Sequence, residues 1–221
     1  MSAHNRPRLV PIGDAGLLVR FADRLDDQAN RDAVALARHL ADHPPEGVVE
    51  VVSSLISALL RYDPRVTDFD SVAAAVRLSV SGAVLDEPKE GARIDIDVRF
   101  GGEHGPDLDE VAGSLGLTPA AFVVRHNDAA LRVLTTGFAP GFVYCGMHGD
   151  NLVVPRRHEV RPWVPSGSIL FAAGQTAITA TPIPTGWNVI GRTDFINFDP
   201  ALDPPTRLRP GDVVQFRAIE T

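Results

Sequence analysis

Cysteine is almost missing from this chain of 221 residues, where Cys145 stands alone. One thiol excludes an intrachain disulfide and any cysteine-based zinc site. Lysine is as scarce. Lys89 is the only one, and it falls in a stretch read below as a linker, so Schiff-base and biotinyl-lysine chemistry are excluded from the chain. Charge of positive sign is outweighed, with a formal net charge of −7, so no general basic field attracts nucleic acid or anionic lipid. No apolar run approaches the ~20 residues of a membrane span, and Met1 to Arg8 is polar rather than a leader. There is no Walker-type loop, no G-x-S-x-G elbow and no H-x-x-x-H metal pair. The reading is a soluble, cytoplasmic protein with no nucleic-acid or membrane partner and no metal site.

Aromatics are few, at 6%, while Gly 19 and Pro 18 are plentiful, a mixture that predicts many short strands joined by turns. The spacing predicts an α+β organisation with a small N-terminal α/β domain over 1–85. Arg8 to Ile12 and Gly16 to Phe21 read as strands around a Gly13-Asp14-Ala15-Gly16 turn. Asp27 to Ala41 carries apolar residues at helical spacing, stopped by Pro44-Pro45-Glu46-Gly47. Val48 to Val52 and Leu55 to Tyr62 read as a strand pair. Asp70 to Leu78 reads as a second helix, capped by Asp70 or Ser71. This order implies one sheet with both helices on one face. Ser81 to Ala92, charged and rich in turn formers, reads as the linker.

The second domain spans 86–221. Arg93 to Phe100 alternates polar and apolar residues as a half-buried strand does. Two short helices follow, Asp107 to Ala112 and Thr118 to His126, the latter with Thr118 as cap and Pro119 at its first position. From Ala130 to Phe216 only strands and turns are expected, at a density that implies a closed or nearly closed β-barrel.

Unusual residues concentrate in that barrel. Thr135 to Tyr144 packs aromatics and glycines around Pro140, a turn that lets backbone amides approach a ligand or that plugs the barrel end. Between Pro155 and Pro162, Arg156, Arg157 and Arg161 form a positive patch in an acidic chain. Guanidinium forks match carboxylate or phosphate oxygens; the alternative is pairing with the chain's own carboxylates. Gln175-Thr176, Trp187 and Arg192 form a third cluster able to read an amide or an anion, or simply to fill the core. His126 is a candidate general base or a helix-end histidine satisfied by the dipole, and Cys145, with no base beside it, reads as an inert buried thiol.

These residues also carry a resemblance. The blocks are Gly13-Asp14-Ala15-Gly16-Leu17-Leu18-Val19, Tyr62-Asp63-Pro64, Gly101 to Leu108, His126, Gly137 to Phe142, Pro155-Arg156-Arg157, Arg161, Val164 to Ser168, Gly174-Gln175-Thr176, Gly186-Trp187, Ile190 to Thr193 and Pro210 to Phe216. In this order the chain resembles, over nearly its whole length, the KipI-like family, which includes the B-type subunit of 5-oxoprolinase and the first subunit of allophanate hydrolase. The resemblance implies a C-terminal cyclophilin-like β-barrel. It also implies a hetero-complex with a KipA-like partner (the C-type subunit of 5-oxoprolinase), joined by an A-type subunit that resembles lactam hydrolases. The activity it implies is ATP-dependent hydrolysis of a small anionic amide, with ATP used at the level of the complex. In that setting Arg156, Arg161 and Arg192 would bind an anionic group of substrate or of a phosphorylated intermediate. Gly137, Phe138, Pro140, Gly141 and Phe142, with Ser166, Gln175 and Trp187, would shape the pocket, and His126 would carry a proton. Two other family roles stay open, a histidine-kinase inhibitor and half of a biotin-dependent carboxyltransferase. The chain departs from the family pattern at Ser53, Leu55, Val160, Thr179-Ala180, Thr185 and Cys145-Gly146-Met147, several of them beside the implied pocket.

Overall fold

A computed structural model describes residues 7–81 and 91–220. The chain forms two compact units, Met1–Glu90 and Gly91–Thr221. Most of the expected linker, Lys89 included, and nearly all of the polar stretch from Met1 to Arg8 lie outside the described residues.

In the first unit, strands β1 (Arg8–Ile12) and β2 (Gly16–Arg20) are joined by the expected turn, followed by helix α1 (Asp27–Asp42), strands β3 (Val48–Ser53) and β4 (Ser57–Tyr62), and helix α2 (Phe69–Ser81). The four strands make an antiparallel sheet in the order β1-β2-β4-β3. Leu17 and Val19, then Ala58, Leu60 and Tyr62, recur at the two-residue period that sends alternate side chains to one face. All five join Leu36 and Leu40 of α1 and Val72, Ala73 and Val76 of α2 in one buried cluster. Both helices therefore cover the same face of the sheet, as the element order implied. The second helix starts earlier than its apolar pattern suggested. Its cap is Asp68, whose carboxylate accepts from Ser71 N at 2.8 Å, and not Asp70 or Ser71. An N-cap acceptor belongs outside the first turn and reaches the third residue on, the position Asp68 occupies.

The second unit opens with β5 (Arg93–Phe100) and two helices, α3 (Leu108–Ser114) and α4 (Pro119–Asn127). Thr118 caps α4 as expected, its hydroxyl accepting from Ala121 N. Strands β6 (Leu131–Thr136), β7 (Val143–Gly146), β9 (Ser168–Ala172), β10 (Gln175–Ile178), β12 (Asn188–Arg192) and β13 (Val213–Ala218) join β5 in a closed barrel ordered β10-β7-β6-β13-β5-β12-β9, which β9 completes by pairing with β10. Only β13 and β5 run parallel. Two short strands, β8 (Arg161–Val164) and β11 (Ile183–Thr185), form a separate ribbon.

Inward residues of these strands, among them Ile96, Val98, Val133, Val143, Ile169, Phe171, Ile190 and Phe216, fill the barrel together with Phe122 of α4 and Val111 of α3. Closure removes the sheet edges and leaves two distinct environments, a lumen and an outer face. The outer face carries its own apolar cluster, in which Phe142, Leu170, Ala177, Trp187 and Val189 meet Val164 and Ile183 of the ribbon.

Candidate functional site

Neighbouring residues on β10 serve both environments. Ala177 belongs to the outer cluster and Ile178 to the lumen, so the two-residue period turns Gln175 outward and Thr176 inward.

On the outer face, four aromatic rings follow one another. Phe138 packs edge-on against Phe142 at 5.5 Å between centroids, Phe142 lies 4.7 Å from Tyr144, and Tyr144 lies 5.9 Å from Trp187. Arg156 ends the row with its guanidinium 5.6 Å above the Trp187 ring, a contact that orients the charge while leaving its donors for a ligand. Burial pushes the Tyr144 phenol above its ordinary value, and the nearby Arg156 charge opposes the shift. The row starts in the turn over Gly137 to Phe142, closed by Gly137 N to Phe142 O at 3.0 Å and Phe142 N to Ala139 O at 3.0 Å. Phe138 sits in this turn at φ 77° and is 72% exposed. A bulky side chain at positive φ is strained, and such strain collects at sites of function. Gly141, at φ 69°, is held by Asn197 Nδ2, which donates to its carbonyl at 2.9 Å. Pro140 is exposed on the same turn.

The arginine patch is divided. Asp107, buried just before α3, accepts from Arg157 Nη1 at 2.7 Å and Arg161 Nη2 at 2.6 Å through one oxygen, and from Val189 N at 2.7 Å through the other. Arg161 thus sits in a partly buried ion pair, with Arg156 the exposed member of the group. Ser166 is engaged as well, donating to Ala180 O at 2.8 Å. Arg192 is exposed at the far end of β12 from Trp187, about 16 Å along the strand at the usual rise, and so is not gathered with Arg156. Gln175 is buried, and its Nε2 has no hydrogen-bond partner among the described residues, a donor whose burial is costly unless something accepts from it.

In the lumen, His126 of α4 is fully enclosed by Phe100, Phe122, Phe171 and Phe216. Its Nε2 meets Thr176 Oγ1 at 2.8 Å and its Nδ1 meets Asn127 Oδ1 at 2.7 Å. His148, absent from the sequence-based candidates, meets the same Thr176 oxygen through its Nε2 at 2.8 Å, with its ring 4.8 Å from that of His126. Burial lowers His126 to about 4, against a small opposing effect of Asn127. Burial and then the His126 charge lower His148 to about 3. Both imidazoles are neutral at pH 7. Cys145 is buried too, its thiol pushed up to about 12, as suits the inert thiol expected.

The glycine-rich segment Gly101 to Gly105 does not fit a phosphate cradle. The amides of His104 and Gly105 bond to Gly101 O, that of Asp107 to Val189 O and that of Leu108 to Gly105 O, so these four amides are already engaged within the fold. ATP, expected at the level of a complex, finds no helix-terminus site in this segment.

Residues 7–208 match the model of the carboxyltransferase domain, subdomain C and D. The chain belongs to this family. Among members of the carboxyltransferase-domain C and D family, it is 36% identical over 213 residues to the B-type subunit of 5-oxoprolinase from Escherichia coli O157:H7, covering 96% of this chain and 95% of that one. It is 32% identical over 224 residues to the Bacillus subtilis protein of the same name, covering 97% and 93%. Among solved structures, TTHA0988 superposes with a TM-score of 0.81 at 33% identity over 93% of this chain, which corresponds to 40% of that longer chain. Kluyveromyces lactis urea carboxylase superposes at a TM-score of 0.73 and 16% identity over 97% of this chain and 22% of that one, a likeness of fold. Among the described residues, no helix is long and apolar enough to cross a membrane.

Proposed function

We propose that this chain is the B-type subunit of a heteromeric, ATP-dependent amide hydrolase of the 5-oxoprolinase kind, acting in the cytoplasm and inactive alone. The observation that carries the reading is the end-to-end similarity to proteins named as the B-type subunit of 5-oxoprolinase, at about a third identity over more than nine-tenths of both chains. The outer face of the barrel supplies suitable chemistry. Arg156, placed over the Trp187 ring and still exposed, is a cation for the carboxylate of a small anionic amide. The Gln175 Nε2 donor, without a partner, suits an amide or carboxylate oxygen. The Gly137 to Phe142 turn and Tyr144 supply an apolar wall. Arg161, paired with Asp107, keeps the arginine segment in place; Ser166 and Arg192 lie outside this constellation.

A KipA-like, C-type partner, and with it an A-type protein, completes the complex, at whose level ATP is used. Hydrolysis of an activated amide passes through a tetrahedral anion, for which a fixed guanidinium such as Arg156 is a stabilising partner. In this reading His126, fully enclosed, acts through other groups and does not touch substrate.

The test is to purify the chain together with its partner proteins and measure 5-oxoproline-dependent ATP hydrolysis. Turnover that requires every component is expected, and an assembled complex that leaves 5-oxoproline untouched rejects the substrate. Binding of a histidine-kinase dimerisation domain that survives Arg156→Ala, in a chain whose complex has no hydrolase activity, would favour the regulatory reading instead.

A further inference from the structure

The lumen of the barrel contains a hydrogen-bonded chain that apolar packing does not call for. Two imidazoles converge on one hydroxyl, with His126 Nε2 and His148 Nε2 each 2.8 Å from Thr176 Oγ1. A hydroxyl has a single hydrogen to donate, so it can donate to only one of these nitrogens and must accept from the other. Asn127 decides which. Its Oδ1 faces His126 Nδ1 at 2.7 Å, and a carbonyl oxygen only accepts, so His126 bears its hydrogen on Nδ1. The neutral ring then presents a lone pair at Nε2, which takes the Thr176 hydrogen, and Thr176 in turn accepts from His148 Nε2–H. The chain reads Asn127, His126, Thr176, His148 in one direction, and it leaves the hydrogen-free nitrogen of His148 at Nδ1. That atom has no protein partner among the described residues and is not enclosed. His148 itself is partly exposed, beside the β9–β10 turn, where its backbone N bonds to Gly174 O at 2.9 Å.

We propose that His148 Nδ1 is a ligand-facing acceptor with a fixed lone pair, which takes the N–H of an amide substrate, and that Thr176, His126 and Asn127 are the positioning residues that hold it in that tautomer. The inference rests on the amide-hydrolase reading for the identity of the substrate. No proton is transferred; the acceptor selects amides that carry a hydrogen on nitrogen over N-alkylated ones. A site that fixes a lone pair rejects a ligand lacking the matching N–H, because the acceptor is then left unpaired. A fully enclosed neutral His126 and a partly buried neutral His148 are the cost of the arrangement, and a purely structural core would be served as well by apolar rings.

The experiment is ¹⁵N NMR of the full chain, labelled at histidine and assembled with its partner proteins. His126 is expected as the Nδ1–H tautomer and His148 as the Nε2–H tautomer. Addition of 5-oxoproline or 2-pyrrolidone should displace the His148 Nδ1 resonance, and N-methyl-2-pyrrolidone should not. In turnover, His148→Ala should raise KM about tenfold, the loss of roughly one hydrogen bond, with kcat within about twofold. Thr176→Val should do the same and Thr176→Ser should restore KM, a rescue that simple packing would not produce. His148 found with its hydrogen on Nδ1, or an Nδ1 resonance unmoved by either N–H probe, overturns the inference. A complex that does not hydrolyse 5-oxoproline but whose His148 Nδ1 responds to 2-pyrrolidone upholds the acceptor and rejects the substrate.

Discussion

The two units differ in how far they bury charge, although both carry exposed ion pairs, such as Arg217 with Asp97 in the second. In the first, ion pairs are local and wet: Arg31 with Asp27 one helical turn away, Arg65 with Asp63, Arg61 with Glu50 across two strands. Such pairs are worth little, because solvent screens them and ordering two long side chains opposes them. In the second, Asp107 is buried with two guanidinium groups and a backbone N–H upon it, and three polar side chains meet inside the barrel. Burying polar groups is tolerated only when each finds partners. The surface pairs of the first unit could thus be exchanged, although its buried Asn30 donates to Leu55 O at 2.8 Å, whereas the buried polar groups around Asp107 and Thr176 in the second fix particular atoms.

Substitutions at matched positions sharpen this contrast. Both tryptophans, Trp163 and Trp187, lie in the second unit, so tryptophan fluorescence during urea unfolding follows that unit alone, and far-UV circular dichroism, which sees the helices of both, supplies the transition of the first. The largest effect is expected at Asp107. Asp107→Ala leaves Arg157, Arg161 and the Val189 amide unpaired and should destabilise by about 3–5 kcal/mol, while Glu50→Ala in β3, from an exposed pair with Arg61, should cost below about 1 kcal/mol. Equal losses would erase the distinction.

Acid comes next. Between pH 6.5 and about 4 the unfolded chain protonates its histidines while folded His126 and His148 stay neutral. The unfolded state then binds more protons, so stability falls as pH falls through this window and is flat above it with respect to these groups. His126 alone accounts for on the order of 3 kcal/mol by pH 4. Tryptophan-detected melts of the second unit should show this slope, and His126→Gln should reduce it to the part that His148 contributes.

A glycine pair gives a smaller contrast. Gly13 and Gly141 both have positive φ, but a Cβ at Gly13 meets open space whereas one at Gly141 runs into Phe198 and Ala180. Gly141→Ala should therefore cost about 2–3 kcal/mol and Gly13→Ala about 1 kcal/mol, compared by the unfolding midpoints of each unit. Arg156→Ala should also affect stability little, since it removes one exposed cation–π contact worth about 0.5–1 kcal/mol. Its consequence should appear in KM for the anionic substrate, raised about tenfold or more as a charged hydrogen bond is lost.

Local pattern made much of the fold legible. The alternation of Arg93 to Phe100, the Thr118-Pro119 start of α4 and the run of turn-separated strands after Ala130 each report a short-range preference, and each appears as expected. The Asp68 cap was missed because Asp70 and Ser71, equally good cap residues by type, stand closer to the apolar run. The site was less legible because its decisive contacts are distant in sequence. Thr176 meets His148 across 28 residues and His126 across 50, and Asp107 meets Arg161 across 54. No local spacing signals such pairs. His148 follows Cys145-Gly146-Met147, where the chain departs from the family pattern, and Asp107 stands among glycines as an ordinary helix-start residue. The arginine segment was visible as a patch, but which of its members is free depends on Asp107, a residue of another element.

The parallel pairing of β13 with β5 also has a consequence for synthesis. Hydrogen bonds between the two strands' neighbourhoods join residues 120 apart, such as Ala92 with Asp212 and Arg217 with Asp97, whereas a long link in the first unit, Tyr62 to Asp14, spans 48. A ribosome extending this chain can release a nearly complete first unit while the barrel still gapes beside β5. Until Val213–Ala218 emerges, the lumen that shelters His126 and Thr176 lacks the strand that joins β5 to β6, so the barrel closes only after nearly the whole chain has been made.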